Sequence, residues 1–197
     1  MRRLPARIRG LLLCGGASRR FGRDKLLVPI SASSRPIACL AADNLRAGAG
    51  DVLAVVPAGA AALRSVLEEA GCEVIESDRT ALGIGASLAA GVAASRGAAG
   101  WIVALGDMPF VSPATIAAVR AALAGGALVA APVDAVSGER GHPVGFAGAL
   151  APELMALASD EGARSVIAAH RSKLVGVVVD DRGIFRDIDT PRDLPPQ

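Results

Sequence analysis

Aromatic residues are scarce in this chain, which has four Phe, one Trp and no Tyr among 197 residues. Because 52% of the residues are nonetheless hydrophobic, Ala, Leu and Val must supply most of the core, which suits close packing of helices on a sheet. An excess of one charge is also missing, since 21 basic residues face 19 acidic ones. This balance argues against the binding of nucleic acid or of a membrane surface.

Cysteines and long apolar segments are few as well. Cys14, Cys39 and Cys72 are an odd number of cysteines without the spacing of a metal site. We expect them to be structural thiols in a reducing compartment. No continuous apolar stretch is long enough to cross a bilayer, and the apolar run near the first residues is too short for a secretion signal. The sequence therefore predicts a cytoplasmic protein that does not bind a membrane.

Apolar segments that suit strands alternate with segments that suit helices along the chain. Strands are predicted at 8–14, 51–56, 72–75, 101–105, 127–133 and 174–179. Helices are predicted between them, at 36–47, 58–70, 88–96, 113–124, 151–158 and 160–170. Such alternation is typical of an α/β domain with a mostly parallel sheet, and a chain of this length most simply forms one domain, here 1–197.

The stretch from Leu11 to Lys25 carries the strongest functional signal. A buried strand is followed by two glycines and then by four cations within a few residues, Arg19, Arg20, Arg23 and Lys25. Since glycine has no Cβ, a ligand can approach this backbone closely, and the N–H groups of residues 15–17 can form an anion-binding nest. The pattern is neither a Walker A loop nor a dinucleotide fingerprint. It predicts a phosphate-binding loop, with a tight turn and a solvated basic loop as the alternative.

A second glycine-rich segment runs from Gly83 through Gly85 to Ser87. Its small residues and its hydroxyl would suit the base or ribose of a nucleotide. A plain glycine turn before a helix explains the residues equally well.

Acidic residues follow two predicted strands. Asp107 comes directly after the strand at 101–105, at the edge where α/β sheets bind ligands, and Mg²⁺ prefers carboxylates plus substrate phosphates. A role in a turn is the alternative, since Pro109 follows closely. Asp187 and Asp189 would share one face of an extended segment. One of them would supply a second metal carboxylate, while Asp189 or Thr190 would cap the next turn.

Several segments, taken in order, resemble the signatures of the molybdenum cofactor nucleotidylyltransferases, a family of MobA-like NTP transferases. They are the stretch at 11–25, Gly106-Asp107-Met108-Pro109, Gly141-His142-Pro143-Val144 and Asp187-Ile188-Asp189-Thr190-Pro191. The resemblance implies a single-domain, Rossmann-like three-layer α/β/α sandwich of the nucleotide-diphospho-sugar transferase type. It also implies transfer of a nucleoside monophosphate from an NTP to a phosphorylated acceptor, with release of pyrophosphate.

The same resemblance assigns roles to individual residues. The implied catalytic residues are Lys25, Asp107 and Arg19. The implied nucleotide contacts are Cys14, Gly15, Gly16, Ala17, Ser18, Arg20, Gly83, Gly85 and Ser87. The implied acceptor contacts are His142, Pro143 and Arg164, and the implied ligands of Mg²⁺ are Asp107 and Asp187.

The segments point to two branches of the family. Phe21 stands where the family usually has Met, and the residues at 14–16 and 24–25 resemble the guanylyltransferase branch. The segments at 83–87, 141–144 and 187–189 resemble the cytidylyltransferase branch. We therefore expect CTP and the molybdenum-pterin cofactor as substrates, with transient contact to molybdoenzymes or their maturation factors. The alternatives are GMP transfer to that cofactor, cytidylyl or uridylyl transfer to a sugar or polyol phosphate, and a nucleotide-binding regulator without turnover.

Overall fold

The computed structural model describes residues 7–15, 24–30 and 35–195. The strands of this part of the chain are β1 Ile8–Leu13, β2 Val52–Pro57, β3 Glu73–Ser77, β4 Gly100–Leu105, β5 Val129–Asp134, β6 Val144–Ala147 and β7 Leu174–Val179. Its α-helices are α1 Ile37–Ala49, α2 Ala61–Glu69, α3 Ile84–Ala94, α4 Pro113–Ala124, α5 Ala151–Met155 and α6 Arg164–Ala169.

All seven strands join one sheet in the order β3-β2-β1-β4-β6-β5-β7. β6 runs antiparallel to both of its neighbours, and the other pairs are parallel. The predicted α/β fold with a mostly parallel sheet is therefore confirmed. The strand order reverses between β1 and β4, and open sheets of this kind bind ligands outside the carboxyl ends of the strands at that point.

Helices cover both faces of the sheet and make three layers. Leu12 packs in a core cluster with residues of α1, α2 and α4. Leu11 and Leu13 pack in a second cluster with residues of α3, α5 and α6. Successive strand residues point to opposite faces, so the near-continuous apolar run of β1 fills both clusters and buries the strand.

Two differences from the predicted elements have local causes. β6 was not among the predicted strands, because it has only four residues and one of them is Gly145. That glycine allows close packing on α4, since a Cβ there would lie 2.9 Å from the Leu123 side chain. The helix predicted to end at Ala47, before Gly48, continues for two more residues. Gly48 lies inside the helix, where a Cβ would be 2.6 Å from Ile116, and α1 ends at Ala49 before Gly50.

The three cysteines are buried and unpaired, as expected of structural thiols. Burial raises the pKa of Cys14 and of Cys39, and it raises the pKa of Cys72 to about 11. The thiols are therefore protonated at neutral pH.

Within the described ranges, no helix has the length and apolarity needed to cross a membrane.

Candidate active site

The carboxyl ends of β1 and β4 lie side by side where the strand order reverses. The Gly106 N–H donates to the Leu13 carbonyl at 2.9 Å. A Cβ at Gly106 would lie 2.8 Å from the Cys14 sulfur, so this position needs glycine for its close approach to β1. Asp107 is thereby held next to the carboxyl end of β1.

Lys25 reaches this edge from the first turn of a short 3₁₀ helix, Lys25–Leu27. The Asp24 carboxylate caps that turn by accepting the Leu26 N–H at 3.1 Å. Lys25 Nζ donates to Asp107 Oδ2 at 2.8 Å and to Asp189 Oδ1 at 2.9 Å. The Lys25 side chain is only 14% exposed, against 24% for Asp107 and 45% for Asp189. Two carboxylates from distant parts of the sequence therefore meet at one ammonium group.

The charge state of Lys25 follows from these contacts. Burial alone lowers the pKa of Lys25, but the hydrogen bonds and charges of Asp107 and Asp189 outweigh it and raise the pKa above the usual lysine value. Lys25 is therefore a fixed cation at neutral pH rather than a base.

The segment after β7 delivers Asp189 to the cluster. Ile188 is fully buried, and its N–H donates to the Asp107 carbonyl at 2.9 Å. Thr190 is the N-cap of the turn Pro191–Asp193, and the Asp193 carboxylate accepts both the Thr190 N–H and its hydroxyl. Capping therefore falls to Thr190 and Asp193, and the Asp189 side chain is directed to Lys25. Asp187 is exposed, and its charge, like that of Asp107, acts on the His142 ring.

The donor set of this cluster fits a hard divalent cation. The carboxylates of Asp107 and Asp189 share Lys25 as a neighbour, and carboxylate oxygen is the ligand that Mg²⁺ prefers. In the described parts of the chain, no group of three or more acidic, His or Cys side chains is arranged to hold a metal. A bound Mg²⁺ would therefore take the rest of its oxygen ligands from substrate phosphates and water.

The second glycine-rich segment packs directly on the first. A Cβ at Gly15 would lie 2.8 Å from Ser87 Oγ and 3.0 Å from Thr80 Cβ. Ser87 is buried, and its hydroxyl donates to the Gly83 carbonyl at 3.0 Å, while the Gly85 N–H donates to the Ser159 carbonyl at 2.9 Å. The structure thus brings together two segments that the sequence analysis singled out separately, although the Ser87 hydroxyl is engaged within its own helix.

A cavity of about 480 Å³ opens beside β1 on the α3 and α6 face of the sheet. His142 and Arg164 both line it, together with Leu13 and several other apolar side chains. Arg140 also lines it and was missed in the sequence. The sequence feature that could have indicated Arg140 is its place directly before the Gly141-His142-Pro143 segment. Pro143, joined to His142 by a cis peptide bond, lies instead beside a small cavity on the opposite side.

His142 is held as a neutral ring between the two sides of the sheet. The backbone N–H of His142 donates to the Ile184 carbonyl at 3.0 Å, and the ring Nδ1 is buried without a hydrogen-bond partner among the described residues. Burial lowers the pKa of His142, and the charge of Asp107 opposes this only in part. Since the usual value is about 6.5, the imidazole is uncharged at pH 7.

Five of the predicted site residues lie outside the described ranges. They are Gly16, Ala17, Ser18, Arg19 and Arg20. Their roles stay predictions from the sequence.

Comparison with known proteins places the chain in a family. The profile of the MobA-like NTP transferase domain matches residues 10–174. No curated protein matches the chain. Among solved structures, Rv0371c from Mycobacterium tuberculosis H37Rv is 25% identical, with a TM-score of 0.83 over 97% of this chain and 96% of that chain.

Two further structures share the fold. A complex of Rv0371c with manganese is 24% identical, with a TM-score of 0.77 over 95% of this chain and 96% of that chain. Molybdopterin-guanine dinucleotide biosynthesis protein A from Archaeoglobus fulgidus is 21% identical, with a TM-score of 0.68 over 95% of each chain. With the profile match covering most of its length, the chain belongs to the MobA-like NTP transferase family and is a nucleotidyltransferase.

Proposed function

We propose that this nucleotidyltransferase moves CMP from CTP to the terminal phosphate of the molybdenum-pterin cofactor and releases pyrophosphate. The observation that carries the proposal is the Lys25 ammonium, which Asp107 and Asp189 hold at the carboxyl ends of β1 and β4, where the strand order reverses. The choice of CTP and of the pterin acceptor is supported by the resemblance of the segments at 83–87, 141–144 and 187–189 to the cytidylyltransferase branch.

The chemistry asks for positioning and charge neutralisation rather than for an activated side-chain nucleophile. An ionised acceptor phosphate attacks the α-phosphorus, a new P–O bond forms, and the bond to the pyrophosphate oxygen breaks. Electrostatic groups aimed at the developing charge and a fixed geometry supply most of such catalysis. Lys25 is the cation that would stabilise the charge on the pentacoordinate phosphorus, and Arg19 is proposed to assist it on the phosphates.

A divalent cation, Mg²⁺ in our proposal, would neutralise phosphate oxygens when it is bound. Asp107 and Asp189 are the carboxylates that would hold it. In this proposal Asp189, rather than Asp187, is the second metal ligand. The existence of a manganese complex of Rv0371c supports the use of a divalent metal in this fold. The Lys25 ammonium, which now lies between the two carboxylates, would then be available to phosphate oxygens.

The two substrates are proposed to occupy different parts of the site. The nucleotide would lie along Gly15 and the Gly83–Ser87 segment, which pack closely on each other at the carboxyl end of β1. The acceptor would enter the 480 Å³ cavity, whose lining holds Arg140 and Arg164 as well as Asp160 and Glu161. The two arginines would contact its phosphate, and the apolar wall would contact its ring system.

Pyrophosphate release from each NTP, with Mg²⁺ and with or without molybdenum-loaded pterin cofactor, tests the proposal. Release from CTP that depends on this acceptor is the expected result. Release from GTP instead would contradict the choice of base and retain the chemistry. If folded protein that binds NTP is inactive with this acceptor, sugar and polyol phosphates are the next acceptors, and inactivity with those also would contradict catalysis.

Gly15→Ala is expected to weaken CTP binding by about tenfold or more, or roughly 1.4 kcal/mol. The added Cβ would lie 2.8 Å from Ser87 Oγ, so the two glycine-rich segments must move apart. Titration of CTP into both proteins gives the two dissociation constants. Gly125→Ala is the matched control, because Gly125 has an ordinary φ of −77° and a Cβ there would approach nothing closer than 3.4 Å. Equal affinity of the Gly15 variant and the native protein would remove Gly15 from the nucleotide site.

A further inference from the structure

β7 is the outermost strand of the sheet beyond β5, and its outer edge has no strand partner among the described residues. Its six residues, Leu-Val-Gly-Val-Val-Val, carry no charge. Val175 is 42% exposed and Val178 is 72% exposed, and a strand paired at this edge would place side chains beside both valines. β7 is thus an apolar strand with a row of backbone hydrogen-bonding groups facing outwards.

The opposite edge of the same sheet is protected. β3 carries Glu73 and Glu76, which form ion pairs with Arg9 at 2.6 Å and with Arg64 at 3.3 Å. Charged residues on edge strands are a common defence against pairing with another chain. Since β7 has no charge or proline of its own, it retains the capacity for strand addition that β3 has lost.

The residues at the two ends of β7 indicate which strand fits. Arg171 and Lys173 precede β7, Asp180 follows it, and all three side chains are exposed. In an antiparallel pair of two β7 strands, Lys173 of one copy lies near Asp180 of the other, and the two-fold axis repeats this contact at the other end. Arg182, further along, is paired with Asp134 of its own chain. A parallel pair would instead place Lys173 beside Lys173 and Asp180 beside Asp180. The edge is therefore complementary to itself in one orientation.

We propose that two copies of this chain pair through β7, antiparallel and around a two-fold axis, so that their sheets join into one. The paired strands supply backbone hydrogen bonds, and Val175 and Val178 of each copy become covered. Because the strands of the two copies run in opposite directions, the two Lys25 sites lie at opposite ends of the strands of the joined sheet. Both sites therefore stay open to substrate. The contact is a short strand with few side chains, so the dimer is of the weak class.

Sedimentation velocity of the full chain, from about 1 μM to about 1 mM, measures the dimer directly. We expect a reversible dimer whose proportion rises with concentration. Val178→Lys is expected to raise the dissociation constant at least about tenfold. Ala62→Lys places the same charge on an exposed position of α2 and is expected to leave the dissociation constant unchanged. A native chain that stays monomeric over this range, or a dimer unaffected by Val178→Lys, would overturn the proposal.

A charge-exchange pair tests the orientation. Lys173→Asp and Asp180→Lys are each expected to weaken the dimer, because each places like charges together at both ends of the interface. The double variant restores opposite charges and is expected to recover the native dissociation constant. A double variant weaker than either single variant would overturn the antiparallel arrangement. Circular dichroism spectra of all variants verify that the fold is intact.

Discussion

Asp107→Asn is expected to lower the rate of nucleotidyl transfer by about 10²–10³, the loss found when one preorganised electrostatic group is removed from an active site. The substitution keeps the shape of the side chain and removes its charge. It weakens the 2.8 Å contact with Lys25 and halves the number of carboxylates that converge there. Single-turnover measurement of pyrophosphate release, at saturating NTP and acceptor, reports the chemical step.

Two comparisons decide whether this loss is specific to the site. Asp51→Asn, at an exposed carboxylate before β2, is the matched control and is expected to react at the native rate. Asp189→Asn is expected to be more damaging than Asp187→Asn, because Asp189 contacts Lys25 and Asp187 is exposed. Native turnover by the Asp107 variant would contradict its assignment to the catalytic cluster.

The fold could be predicted from the sequence because the strands of a sheet covered on both faces are apolar at nearly every position. The segment 52–56 is apolar at every position, which predicts a strand, and it is buried throughout. Local pattern also places Asp107 directly after a buried parallel strand, at the ligand-binding end of the sheet, whereas its metal role rests on the family resemblance of Gly106-Asp107-Met108-Pro109.

The rest of the site depends on contacts between distant segments. Extended geometry places Asp187 and Asp189 on one face, but it does not say which of them meets Lys25. That choice is made by Ile188, which is buried and bonded to the Asp107 carbonyl, and by Asp193, which takes over the capping role. Likewise, nothing in the sequence near Ser87 shows that it packs against Gly15. Apart from the local cap by Asp193, these are tertiary contacts between residues more than 70 positions apart in the chain.

Lys25→Met is expected to cause a loss of about 10²–10³ in the rate of the chemical step, because it removes the cation proposed to stabilise charge on the transferring phosphate. Methionine keeps most of the aliphatic stem and removes the ammonium that Asp107 and Asp189 both contact. The two carboxylates then lose the counterion that they share. Rates at saturating substrates, measured with the Asp107 variant in the same series, give the size of the effect.

Lys25→Arg separates charge from shape. Arginine retains the positive charge, but its planar fork replaces a compact ammonium that now fits between two oxygens at 2.8 and 2.9 Å. We therefore expect a rate between those of the native protein and Lys25→Met. Because Lys25 and Asp107 act on the same cluster, the double variant Lys25→Met with Asp107→Asn should lose much less than the product of the two single losses. Losses that multiply would show that the two residues act independently, and the proposed shared role would then be wrong.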